Sequence, residues 1–235
     1  MSKPSIVFLA LLALPAGLRA QVGHPPERTP YADLEGRTNL VLQGGLVGGN
    51  GGRLGLGPSS GPLYGLRLET LLSGPTDGFF EVMFGQPERT IIDPTGPVAT
   101  RTTGPVRSGL VMVDAGLTIL LTGEKTWHGI TPLVGASLGL AFHRTPAADS
   151  VSGFRFNAKL ATGPHIGFRY YVTRAVSLRV EGRLLFWQLK YPSVYFQAPS
   201  QAPLDDPVLD FTSDPDSEWT SQPVLNLGLG ISFRL

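Results

Sequence analysis

The chain has 235 residues, with 19 Lys and Arg against 18 Asp and Glu, 30 Gly, 21 Pro and no Cys. A net charge of +1 gives no basic excess for nucleic acid, and the lack of Cys excludes a disulfide scaffold. A mean hydropathy of +0.09 with 42% apolar residues is too apolar for a disordered chain.

The first residues read as a leader. Met1–Lys3 is a short basic start, Ile6–Leu14 is an apolar run, and Leu18, Arg19 and Ala20 follow Pro15 and Gly17. This pattern predicts a secretory signal peptide over 1–20, cleaved after about Ala20. The run is shorter than the ~20 residues a spanning helix needs. Residues 21–36 are polar and rich in Pro, and read as a flexible lead-in. The remainder, 37–235, reads as one all-β domain.

Within that domain, segments of about ten residues alternate apolar with small or polar residues, the two-residue period of a strand. In chain order, strands are predicted over Thr38–Gly48, Pro62–Leu72, from Phe79 through Gly85, and over Ser108–Leu121. Four more are predicted over Ile130–Phe142, Phe154–Val172, Ala175–Leu189 and Val224–Leu235. Short connections, Ser73–Gly78, Thr122–Gly129 and Thr173–Arg174, alternate with long ones: Gly49–Gly61, Gln86–Arg107, His143–Gly153 and Lys190–Gln222.

One face of these strands is bulky and apolar; the other mixes Gly and Ser with nearly balanced charge. That second face holds Arg67, Arg169, Arg179, Arg183 and Arg234 against Glu69, Glu81, Asp114 and Glu181, with His165 beside them. Small residues leave room for long charged ones in a narrow lumen, and opposite charges pair across it. The apolar face then meets lipid. A sheet in lipid must close, because every backbone polar group needs a partner. The fold predicted is an eight-stranded antiparallel up-and-down transmembrane β-barrel, with short turns at one end and long loops at the other. Aromatics cluster at strand ends: Phe79 and Phe80, Tyr170 and Tyr171, Phe186, Trp187 and Tyr191. They are expected at the two headgroup levels, where such rings are favoured.

Pro132–Phe142, Gly167–Val172, Ser177–Arg183 and the terminal Gly228–Leu235 resemble the bacterial outer-membrane β-barrel families of the porin-like, OmpA/OmpX type. The resemblance covers about 38–235. It implies an outer-membrane location, both termini in the periplasm, a monomer surrounded by outer-membrane lipid, and delivery by the barrel-assembly machinery through the last strand. That strand carries Phe233 two places before Leu235, whereas the family often ends on an aromatic residue.

An eight-stranded barrel has room only for its own side chains. The expected role is therefore structural, or surface contact through the external loops with an extracellular ligand, without nucleic acid, metal or cofactor. A narrow passive channel for small solutes is the alternative. A lipid-modifying enzyme would need His with Ser or a carboxylate near the rim; His143, followed by Asp149, Ser150 and Ser152, is the nearest candidate. No enzyme is expected, because none of His24, His128, His143 or His165 stands in a His-x-Ser strand motif. The acidic stretch from Asp205 to Glu218 has irregular spacing and Pro interruptions unlike a calcium loop. A soluble barrel binding an apolar ligand would reverse the two faces.

Overall fold

The structure is a computed structural model that describes residues 29–34, 36–197, 207–210 and 212–233. The leader expected over 1–20, Arg234 and Leu235 lie outside these residues. Eight long strands carry the fold: β1 Thr38–Val47, β2 Gly61–Ser73, β3 Thr76–Gly85, β4 Leu110–Leu120, β5 Ile130–His143, β6 Ala158–Tyr171, β7 Val176–Lys190 and β8 Ser217–Phe233. Each pairs antiparallel with the next, and β8 pairs with β1 from Val224↔Val47 to Phe233↔Thr38. The barrel is therefore closed, without a free sheet edge among these strands.

The side-chain period gives the wall two different faces. Outward positions are apolar and exposed on every strand, as at Leu42, Tyr64, Phe84, Leu117, Leu138, Ile166, Leu178 and Leu227. Ile166 is 67% exposed and Trp219 is 62%. A soluble monomer rarely shows an apolar patch beyond a few hundred Å², whereas this belt runs round the whole wall.

Four local features differ from the sequence expectation. β6 begins at Ala158, not Phe154. Phe154 and Phe156 alternate like strand residues, but both are buried within the barrel mouth. β8 begins at Ser217, seven residues before Val224, because its acidic start pairs with the far end of β7 in the register Lys190↔Ser217 and Leu189↔Glu218. The loop after β3 contains its own hairpin, Glu88–Ile92 against Thr102–Arg107. The lead-in also holds a short strand, Tyr31–Asp33, paired with Lys125–Trp127 in the turn between β4 and β5.

Candidate functional site

The inward side chains form two stacked zones. Along β7, starting from the short-turn end, they read Ser177, Arg179, Glu181, Arg183, then Leu185, Trp187 and Leu189. On β2 the same order is Glu69, Arg67, Gly65, Leu63, and on β4 it is Thr118, Gly116, Asp114, Met112, Leu110. The change from charged to apolar falls at one level round the barrel.

The charged zone is an ion-pair network spanning the lumen. Arg67 on β2 donates Nη1 and Nη2 to the two carboxylate oxygens of Glu181 on β7, each at 2.8 Å. Its Nε donates to Glu81 on β3 at 2.5 Å. Arg179 bridges Glu69 and Glu181, both at 2.5 Å. Arg183 reaches Glu81 at 3.0 Å, and Asp114 and Glu181 at 3.2 Å. Arg169 pairs with Glu69, reaches Asp77 at 3.2 Å and donates to the Tyr171 hydroxyl at 2.9 Å. All eight charged residues expected in the lumen that the structure describes meet in this one network and are buried.

Two members were not expected from the sequence. Asp77 sits next to a turn, and Gln43 donates to Glu81 at 2.6 Å; the inward parity of β3 and β1 identifies both. His165 lies in the lumen as expected, 3.0 Å from Thr118 Oγ1 through Nε2, with Nδ1 unpartnered among the described residues. The inward glycines make space: a Cβ on Gly139 would lie 2.2 Å from Asp114 Oδ1.

The aromatic residues divide between the two faces. Phe80 and Tyr170 are exposed and Phe186 is half-buried on the outward face, as expected. Phe79, Tyr171, Trp187 and Tyr191 do not lie on the outward face. Phe79 is 6% exposed inside the lumen, with the Arg67 guanidinium 4.3 Å from its ring centre. Tyr171 caps Arg169. Trp187 and Tyr191 are buried in the apolar zone. In each adjacent pair, one ring must point inward because successive strand residues face opposite sides.

The apolar zone is not evident as a unit in the sequence pattern. Leu63, Met83, Leu110, Met112, Leu185 and Trp187 come from the wall, and the long loops add Leu56, Ile92, Phe154, Phe156, Tyr195 and Leu209. Phe156 meets Trp187 edge-on at 5.6 Å. Polar loop contacts tie the plug down. Arg89 pairs with Asp149 at 2.6 Å, and Asp149 accepts the Ser152 hydroxyl at 2.6 Å. Burial pulls the Arg89 guanidinium below its ordinary range, and Asp149 partly offsets this. Across the mouth, Glu218 accepts from the Tyr191 hydroxyl and from the Arg53 amide, the latter at 2.6 Å. His143 is buried beside Phe156, and neither ring nitrogen has a hydrogen-bond partner among the described residues. The Ser152 hydroxyl donates to Asp149, not to His143. Among the described residues, no three His or carboxylate side chains converge as metal ligands.

The closed eight-stranded wall is shared with solved structures. Neisserial surface protein A is 13% identical, with a TM-score of 0.51 over 83% of this chain and 97% of that one. The chain has the fold of the bacterial outer-membrane β-barrels. The outer-membrane proteins OprG and OprH, both from Pseudomonas aeruginosa, are more distant. OprG is 10% identical with a TM-score of 0.47, covering 85% of this chain and 98% of that one. OprH is 13% identical with a TM-score of 0.42, covering 84% and 99%. No family model matches the sequence, and no curated protein is similar to it.

Proposed function

We propose that this chain is a sealed outer-membrane barrel, non-catalytic, acting through its loop end at the cell surface. The observation that carries the reading is the double filling of the lumen: an ion-pair network across one half and an apolar plug across the other. A conducting pore needs a continuous wet path, and each zone interrupts one. The outward belt supports residence in a bilayer. In this reading the short turns and both chain ends face the periplasm, and the four long loops face outward.

The partners follow from the same placement: lipid around a monomeric wall, the barrel-assembly machinery at β8, and an extracellular ligand at the loops. The name of the Neisserial surface protein is compatible with a surface role.

The test is single-channel recording of the refolded protein in a planar bilayer. The expected outcome is a silent membrane with the folded protein incorporated. Regular conductance steps from the same preparation would overturn the sealed reading in favour of a narrow channel.

A further inference from the structure

The loop between β5 and β6 carries a polar recess of about 190 Å³, lined by Thr145, Asp149, Ser150, Ser152, Phe154 and Arg155. Its floor is fixed from within. The Asp149 carboxylate, 1% exposed, accepts from the Ser152 amide at 3.0 Å, the Ser152 hydroxyl at 2.6 Å and Arg89 Nη2 at 2.6 Å. The Ser152 hydroxyl in turn accepts from the Phe154 amide at 3.2 Å. Phe154 and Phe156 are both buried in the plug, and Arg155 between them is exposed. The loop is thus pinned by packing and hydrogen bonds before any ligand arrives, which keeps the ordering cost of binding small.

The rim is different. Thr145, Ser150 and Arg155 are exposed, and none of their side chains has a partner among the described residues. Arg89 offsets the charge of Asp149, so the Arg155 guanidinium gives the recess a net positive charge. A guanidinium matches a planar carboxylate, which it holds through two parallel hydrogen bonds. Hydroxyl groups both donate and accept, so Thr145 and Ser150 match further hydroxyls. At ~30 Å³ per water the recess has the volume of about six waters, which suits a single sugar ring.

We infer that this recess is a binding site for one acidic sugar residue of the uronate class, its carboxylate on Arg155 and its ring hydroxyls on Ser150 and Thr145. The inference rests on the surface-facing reading above and gives the ligand of the loops a chemical class. Arg155 supplies the preference for an acid, and the two hydroxyls supply the preference for a polyol. Asp149, Ser152 and Phe154 hold the frame, their polar groups already engaged with one another and with Arg89.

The test is saturation-transfer NMR of the folded protein in lipid nanodiscs, titrated with methyl glucuronide, methyl glucoside and acetate. Methyl glucuronide is expected to bind saturably, about tenfold more tightly than methyl glucoside, with acetate a weak competitor. Arg155→Gln should remove that difference and Arg155→Lys should retain part of it. Ser150→Ala with Thr145→Val should weaken both sugars, and Arg107→Gln in the loop after β3 should change nothing. Variants are compared as folded proteins, identified by the heat-dependent gel shift. Equal binding of the two sugars, or a glucuronide preference that survives Arg155→Gln, overturns the site. Acetate competing as well as glucuronide, or sugar binding unaltered by the double hydroxyl variant, also overturns it and assigns Arg155 to any free carboxylate. The chain has no Cys, so Ala148→Cys reports the orientation separately. A bulky, membrane-impermeant maleimide is expected to label it on intact cells. Labelling only after lysis overturns the surface-facing reading while leaving the binding result to stand by itself.

Discussion

Glu181 accepts from Arg67, Arg179 and Arg183, whereas Asp77 meets Arg169 at 3.2 Å. Taking charges out of water offsets much of their attraction, so such a network is not strongly stabilising as a whole. Removing one partner is the costly change, because the others stay buried without compensation. Glu181→Gln is expected to lower the unfolding free energy by about 3–5 kcal/mol, measured by urea titration in lipid vesicles. Asp77→Asn should cost clearly less in the same titration. Equal effects would mean that the guanidinium groups find other partners. The charged residues were legible in the sequence because a two-residue period assigns each one a face. Position along the strand alone does not assign the aromatic residues a face; parity does. Phe79 and Trp187 follow from parity: each neighbours an aromatic residue that faces out, and both cannot.

The long loops behave as part of the interior. Leu56, Phe154, Phe156 and Leu209 leave the loops to bury themselves against Trp187 and Leu189 from β7. This packing was illegible for a specific reason. Leu63, Met83 and Leu185 share a face with Arg67, Glu81 and Arg183, so the inward face is neither polar nor apolar as a whole. Read as an average it appears mixed; read by level it divides sharply. The sequence Phe154-Arg155-Phe156 then imitates a strand while its rings fill the mouth. Trp187→Ala should leave a cavity costing about 3–5 kcal/mol, seen as a lower urea midpoint. In the sealed reading proposed above, the two zones are seals in series. Trp187→Ala with Phe156→Ala is expected to remain silent in a planar bilayer, because the ion-pair network still closes the lumen. Conductance from that plug variant alone would show that the charged zone is not a seal.

At the scale of the whole molecule, among the eight long strands described, the joint between strands distant in sequence is β1 with β8. Along that joint, the inward side chains are Asn39, Val41, Gln43 and Val47 facing Val224, Asn226 and Ser232, with glycines between. None of these is charged. The charges stand one strand back on either side: Arg67 and Glu69 on β2 hold Glu181 and Arg179 on β7. The network therefore straddles the joint from within, as a buckle straddles the two ends of a belt. Hairpins can form without it, but the two ends of the sheet meet under its tension. In refolding into vesicles, Glu181→Gln should gain β-sheet circular dichroism at the normal rate and acquire the compact, heat-shifted gel form more slowly. Equal slowing of both signals would place the charges in strand formation and not in closure. In the sealed reading proposed above, the lumen network would have a task in time, setting when a flat sheet becomes a tube.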